Sequence, residues 1–407
     1  MSKLLATILL FCFATTFNYA QDRIIISGKI IDAKTKEGLP FASIGLSQSP
    51  VGTVTNLKGE FDLHIQNFQS NEVLVISMLG YKNYKVPIIQ LTSNTTTPFI
   101  FELEASPKVL EEVLISDSLS GLDILNIAFN KIEFNYANSP YMLEGFYRDY
   151  KKVNGQYVSL LEAALNIYDK GYDNPKNKKR LHEKVKLLEV RKSLGYNFYS
   201  KDYFNQKNLL EDILLRNIVR YKNFGFINAQ SNIQRLETSY FNDKKVFIID
   251  VKNENENYQF YINTFDYAIM KINLNQSIVN NIKVNKLSEH SAQLKLSLYF
   301  KKFDNNYYLS LITSNYKSYW SYRNSSKVES TSELTQLLLI NNIVNKPEVR
   351  IKGTEKMRKF GLQFQDKPYN EVFWKNYNII KETPLDKKII FDLEKELTLD
   401  QQFLKNQ

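Results

Sequence analysis

The sequence predicts a mainly β protein: an N-terminal seven-stranded β-sandwich, then a larger α+β domain with a curved antiparallel sheet, an incomplete barrel, and a few helices. Three observations predict it. Tyr and Phe number 26 each and aromatics reach 13%, a composition that favours sheet. From Ile24 to Leu103, short apolar runs alternate with Gly, Pro, Asn and Asp punctuation, as suits short strands. Beyond residue 120, longer aromatic runs return on themselves across Asn- and Gly-containing turns, and few stretches carry a helical period. Hydrophobic residues make up 43% of the 407, enough for two cores.

Residues 1–20 read as a cleaved secretory signal. Lys3 supplies the positive start, Leu4 to Phe17 the apolar core and Ala20 a small residue at the cleavage site. The apolar stretch falls short of the ~20 residues a membrane span needs. Cys12 is the only cysteine; it lies inside that core behind Phe11, without the small residues of a lipidation site. Its removal leaves no thiol for disulfides or nucleophilic catalysis. The expected location is exported, periplasmic or outer-membrane associated. A formal charge of +10 suits peripheral contact with an anionic outer-membrane surface, and export argues against nucleic acid as the partner. The densest basic run, Pro175 to Arg180, reads as a solvated loop.

In the first domain, residues 21–104, the strands run Ile24–Asp32, Pro40–Leu46, Thr53–Thr55, Glu60–Ile65, Glu72–Met78, Tyr84–Ile89 and Thr97–Leu103. Pro40 is placed at a first strand residue, where no ladder donor is needed. Gly59 closes the turn before Glu60, and Phe61, Leu63 and Ile65 share one face. Seven strands in about eighty residues make a sandwich.

Twelve residues in fixed order carry a resemblance. Gly28 and Asp32 open it; Gly38, Pro40 and Ala42 follow; then come Gly52, Thr53, Thr55, Gly59 and Phe61, and finally Gly80 and Tyr81. In this order and spacing, residues 24–104 resemble the carboxypeptidase-regulatory-like domain, a transthyretin-like sandwich of many exported proteins of gram-negative bacteria. The resemblance implies an accessory module, not a catalytic one, with geometric jobs for these residues: glycines turn, and Phe61 and Tyr81 pack. The following "KVLEEVLIS" resembles the segment that trails this domain in outer-membrane transporters.

Residues 105–120 read as a linker. The second domain, 121–407, opens with a helix N-capped by Ser120, its stripe formed by Leu122, Leu125, Phe129 and Ile132. Two strand-like runs flank Asn154-Gly155, a hairpin whose loop is two or three residues long. The run from Lys207 to Asn223 reads as a helix. Leu236 to Ser277 gives four strands, and Ala292 to Arg323 gives two more and a third. An amphipathic C-terminal helix is expected at about 384–399, N-capped by Thr383, with Leu385, Ile389, Leu393 and Leu397 in its stripe. The unit around Glu237–Asn273 is similar to a repeat in lipoprotein-carrier-like folds, where an incomplete barrel offers an apolar concave face. The whole second region also resembles the C-terminal region of exported proteins that carry the same first domain.

Catalytic motifs are missing from the sequence. His64, His182 and His290 are far apart; His182-Glu183 lacks the second His of a zincin. No G-x-S-x-G elbow, phosphate-cradling loop or His/Cys cluster occurs. Paired acids such as Glu111-Glu112, Glu254/Glu256 and Glu394/Glu396 sit in polar settings. Arg148 and Glu162 stand out, because each interrupts an apolar run in a predicted strand. They are candidates either for a ligand cavity or for a structural charge pair. The expectation is a non-enzymatic envelope binding protein without cofactor or metal. Its sandwich docks, and its curved sheet binds an apolar ligand, a lipid or a protein partner. The alternatives are an outer-membrane β-barrel with a periplasmic sandwich and an envelope polymer hydrolase.

Overall fold

The computed structural model describes residues 23–91, 98–106, 119–172, 178–197, 203–204, 208–284, 286–323, 325, 327–345, 350–357, 361–381 and 384–405. The expected signal, most of the expected linker, Glu111-Glu112 and the Thr383 cap lie outside these residues.

Seven strands form two facing sheets: β1 (Arg23–Asp32), β2 (Ser43–Leu46), β3 (Gly52–Val54), β4 (Glu60–Gln66), β5 (Val73–Ser77), β6 (Tyr84–Pro87) and β7 (Phe99–Leu103). One sheet has the order β4-β1-β7, with β1 and β7 parallel; the other is antiparallel β3-β2-β5-β6. Alternation decides which side faces in: Phe61, Leu63 and Ile65 are buried, whereas Asp62 and His64 point away. They meet Ile26, Ile30, Leu74, Ile76 and Phe101 in the sandwich core. Pro40 differs from expectation, because it sits in a turn with Phe41 (φ 56°) and the strand starts only at Ser43.

The remaining strands make one ten-stranded antiparallel sheet in the order β10-β9-β8-β17-β16-β15-β14-β13-β12-β11. They are β8 (Tyr141–Val153), β9 (Gln156–Asp169), β10 (Lys184–Lys192), β11 (Asn232–Phe241), β12 (Lys244–Lys252), β13 (Glu256–Asn263), β14 (Ile269–Val284), β15 (Leu287–Phe303), β16 (Asn306–Tyr322) and β17 (Ser330–Val344). The sheet is not closed: β10 and β11 are its two edges. Asn154 and Gly155, both at positive φ (51° and 79°), make the β8–β9 loop a two-residue turn pairing Val153 with Gln156. Asn242 and Asp243 turn β11 into β12 in the same way. The Ala292–Arg323 run holds only most of β15, which begins earlier at Leu287, and β16; the next strand, β17, comes from the Ser/Thr-rich stretch beyond it.

Six helices complete the described residues: α1 (Gly121–Asn130), α2 (Ile132–Asn135), α3 (Leu209–Leu215), α4 (Glu371–Asn376), α5 (Pro384–Leu393) and α6 (Leu399–Lys405). Ser120 caps α1 by accepting from the Asp123 N–H, and Asp123 returns the contact. The buried stripe of α1 is Ile124, Leu125 and Ala128; Leu122 is exposed, one position off the expected face. The Lys207–Asn223 run is helical only over α3 and then continues as turns. The expected C-terminal helix is broken into α5 and α6, with Ile389 and Phe403 buried.

The large sheet is covered on both faces. On one, α1 and α3 pack Ile124, Leu125, Leu210 and Ile213 against Leu161, Leu298, Ile312 and Leu338. On the other, Val54 of the sandwich and Trp374 and Ile380 of the C-terminal segment pack against Phe146, Ala164, Leu311, Leu337 and Leu339. Polar contacts fasten the same junction. Lys381 pairs with Asp62 (2.8 Å), Lys301 donates to the Pro50 carbonyl (2.6 Å), and Asn378 takes both backbone groups of His64 (2.8 and 3.0 Å).

Candidate functional site

Arg148 and Glu162 are direct cross-strand neighbours, and the next strand places Arg191 opposite Glu162. Glu162 thus lies in a row across β8, β9 and β10, accepting from Arg148 Nε (2.5 Å) and Arg191 Nε (2.6 Å). Burial would raise the Glu162 pKa, but the two guanidiniums more than offset it and hold the carboxyl below its ordinary value. Arg191 also stands over the rings of Trp374 (4.5 Å) and Phe403 (5.0 Å), which ties the row to α4 and α6. Arg148 in addition borders a cleft of about 250 Å³ between the sandwich and the sheet, beside Leu57, Tyr150 and Lys381. Both sequence candidates are therefore brought together, in a charge row under the C-terminal segment.

A roomier hollow lies on the opposite, helix-bearing face. Between α3, Tyr203–Phe204 and strands β14 to β17 lies a cavity of about 660 Å³. Leu209, Ile278, Ile282, Val284, Trp320 and Leu334 give it apolar walls. The alternation of the long strands brings these residues to one face. Gln336 braces the helix above them, donating to the Leu209 carbonyl (2.9 Å) and to Tyr147 Oη (3.0 Å). Polar groups interleave with them: Asp212 and Arg216 from α3 and its C-cap, Asn280, Glu289, Tyr316, Ser318, Ser332 and Gln336 from the strands. Asn280 donates to Tyr316 Oη (3.0 Å), and Tyr316 donates to Glu289 (3.2 Å). Burial lowers the Arg216 pKa, opposed by Asp212, Tyr316 and Tyr258. The size falls within the ~300–1,000 Å³ of ligand pockets.

Next to this cavity, Asp149 is fully buried and accepts from Tyr147 and Tyr196 (3.1 Å each). Burial pushes its pKa up to about 6, against the pull of Lys151 and the two phenols. Lys151 lies 3.8 Å from the Tyr196 ring centroid and 5.5 Å from that of Phe204, a cavity residue; burial lowers its pKa while Asp149 opposes. A second buried cluster joins Asp169 to Arg220 (2.6 and 2.9 Å), with Glu183 accepting from Tyr221 (2.5 Å). Burial, then repulsion from Asp169, pushes Glu183 up to about 7. Both clusters sit in core packing with opposite charges present. His64 hydrogen-bonds Asn378 through its backbone, His290 meets Ser321, and His182 lies beside Tyr221. Among the described residues, no group of three or more His, Cys, Asp and Glu is arranged to hold a metal ion. Glu256 is taken up by Asn253, Tyr258 and Gln276.

The motif residues of the first domain do structural work of several kinds. Asp32 accepts from the Lys34 and Thr35 amides (2.8 and 2.7 Å) and from Tyr81 Oη (2.8 Å). Thr55 bridges the Ala42 amide and the Leu39 carbonyl (2.8 and 2.6 Å). Gly59 has φ +82°, and a Cβ there would lie 2.2 Å from the Ile30 oxygen. Gly28 is not a turn: it lies in β1, where a Cβ would press to 2.8 Å on the rings of Phe61 and Phe101. Gly38 and Pro40 lie in the turn region before β2, Gly52 and Thr53 in β3 pair with Gly45 and Ile44, and Gly80 donates to the Tyr240 carbonyl of the large sheet (2.8 Å).

Residues 26–115 match the CarboxypepD_reg-like domain family. No curated protein matches the chain. Among solved structures, a LolA superfamily protein from Nitrosomonas europaea is similar at 10% identity over 55% of this chain and 94% of that one, with a TM-score of 0.22. A DUF1329 family protein from Desulfovibrio piger is similar at 8% identity over 57% and 95%, with a TM-score of 0.25. A lipovitellin structure described by its lipid–protein interactions is similar at 12% identity over 56% and 27%, again at 0.25. Likenesses at this level carry no weight for a ligand.

Sequence reading missed the cavity. Its walls come from residues 203 to 336, so no local motif marks it. The one local sign was Asp212 and Arg216, four apart on a Leu-rich helix and its cap.

Proposed function

We propose that this is a non-enzymatic binding protein of the cell envelope. Its large sheet holds an apolar ligand under α3, and its CarboxypepD_reg-like domain serves as a docking module. The observation that carries the reading is the 660 Å³ cavity with apolar walls on the helix-bearing face. The buried carboxylates lie in packed clusters beside countercharges, not across a cleft, which favours binding over hydrolysis. The open sheet disfavours the membrane-barrel alternative, since a spanning sheet must pair its edges.

The test is binding of N-phenyl-1-naphthylamine, a neutral apolar dye, to the full chain. Saturable fluorescence enhancement is expected. Leu334→Trp, which narrows the cavity, should weaken it while leaving the circular dichroism unchanged. Equal enhancement in the narrowed variant would sink the reading.

A further inference from the structure

The apolar cavity contains one cation whose chemistry is unfinished. Arg216 is the C-cap of α3 and lines the cavity between helix and sheet. Its Nε is buried and finds no hydrogen-bond partner. Among the described residues, none accepts a hydrogen bond from, or forms an ion pair with, the rest of the guanidinium. A guanidinium carries five N–H donors in a planar fork and stays charged, so leaving it unsatisfied in a half-buried wall is costly. Elsewhere this protein completes its buried arginines: Arg148 and Arg191 share Glu162, and Arg220 grips Asp169. Among the buried arginines described, Arg216 is the exception, and it faces the 660 Å³ cavity.

The two carboxylates of the cavity leave that fork open. Glu289 is 3% exposed and takes its hydrogen bond from Tyr316, which is in turn held by Asn280. Asp212 stands one helical turn before Arg216 and attracts it across the turn through charge, with no hydrogen bond between the two. The phenols of Tyr316 and Tyr258 act on the guanidinium without a hydrogen bond to it, and Leu209, Ile278, Trp320 and Leu334 supply apolar surface in the same cavity.

The geometry points to an amphiphile as the ligand: an acyl chain along the apolar walls, ending in an anionic oxygen group, carboxylate or phosphate, that docks on Arg216. This rests on the apolar-cavity reading and narrows it. A planar fork meeting an oxyanion forms short charge-assisted bonds, so the anionic end should be worth ~10–100-fold in affinity over an uncharged chain of equal length.

The experiment is displacement of N-phenyl-1-naphthylamine from the full chain by palmitate, palmitoyl lysophosphatidate and hexadecanol. At least one of the two acids should displace the dye at ~10–100-fold lower concentration than the alcohol. A preference for palmitate identifies a carboxylate head, and one for lysophosphatidate identifies a phosphate; either supports the proposal. In Arg216→Gln the acid-to-alcohol ratio should fall to about onefold, and Arg216→Lys should restore part of it, since the charge returns without the fork. Removing an unsatisfied cation should not impair folding, and circular dichroism on each variant checks this. Equal displacement by acids and alcohol in the native chain, or a ratio untouched by Arg216→Gln, overturns the anionic end while leaving the apolar cavity standing. Failure of all three chains to displace the dye overturns both.

Discussion

Glu162 is the residue on which the most buried charge converges. Its side chain is 2% exposed, between arginines at 7% and 10%. Glu162→Gln keeps the shape and removes the charge, leaving two guanidiniums facing each other out of water. The expected cost is ~3–5 kcal/mol, read as a lowered midpoint in urea at pH 7; an unchanged midpoint would mean that water reaches the row. Glu183 sets a different experiment. Its folded pKa, about 7, is raised above the unfolded value near ~4.3. The native state then holds the proton more tightly than the unfolded chain does. The stability this group contributes is fully present below the unfolded pKa and is lost as pH rises through about 7. Asp149, raised to about 6, acts with the same sign in a lower window. In Glu183→Gln the fall in stability between pH 5 and pH 8 should shrink by roughly 2–3 kcal/mol. Urea melts at the two pH values measure it, and an identical fall in the native and variant chains would refute it.

The elements show which sequence signals survive folding. All seven sandwich strands overlap the runs that alternation and punctuation mark, although β2 starts at Ser43 and not at Pro40. Paired positive-φ residues at Asn154-Gly155 and Asn242-Asp243 likewise announce their hairpins. Helices were read less well. Leu122 fits a helical stripe in sequence, yet the neighbouring sheet selects Ile124 and Ala128 instead, a tertiary choice that periodicity does not contain. The C-terminal run breaks at Leu393, and Gln402 spends its amide on the Leu393 and Leu397 carbonyls (2.8 Å each), a closure that amphipathic spacing does not show. The candidate site was half legible. Arg148 and Glu162 stood out as charges in apolar runs, whereas Arg216 looked like an ordinary helical arginine until the distant strands closed around it. One contact between elements is also testable. β4 is an edge strand, and Asn378 gives its His64 both an acceptor and a donor, as a further strand would. Asn378→Ala should remove hydrogen-exchange protection at the His64 amide and leave the amides of β15 and β16 unchanged. Protection retained at His64 would show that the edge is covered by other means.

At the scale of the molecule, the question is whether the CarboxypepD_reg-like domain and the large sheet behave as one unit or two. Each has its own core, which argues for independence. Against that stands the third cluster, in which Val54 of the sandwich shares a core with Phe146, Leu311, Leu337 and Leu339 of the sheet. Three polar links reinforce it. Lys85 pairs with Asp243 (3.1 Å), Lys381 with Asp62 (2.8 Å), and Lys301, whose pKa burial pushes down to about 8, reaches the Pro50 carbonyl. The exposed pairs are worth ~1 kcal/mol or less each, so the apolar contact decides. Taking the sandwich away would also bare Leu311, Leu337 and Leu339 together, an apolar patch that a folded domain avoids presenting. Docking in this sense is internal to the chain before it is external, and the two domains should melt together. Calorimetry of residues 21–407 should show one transition. The two tryptophans make the probe specific: Trp374 lies in the shared cluster and Trp320 on the opposite face, so Trp320→Phe leaves a single reporter at the junction. Its fluorescence and the far-ultraviolet dichroism should change at the same temperature, and Val54→Asp, which buries a charge in the shared core, should lower both together. Two separated transitions, with Trp374 following only one, would show that the junction is a contact between independent bodies and that the sheet face beneath the sandwich is open to other partners.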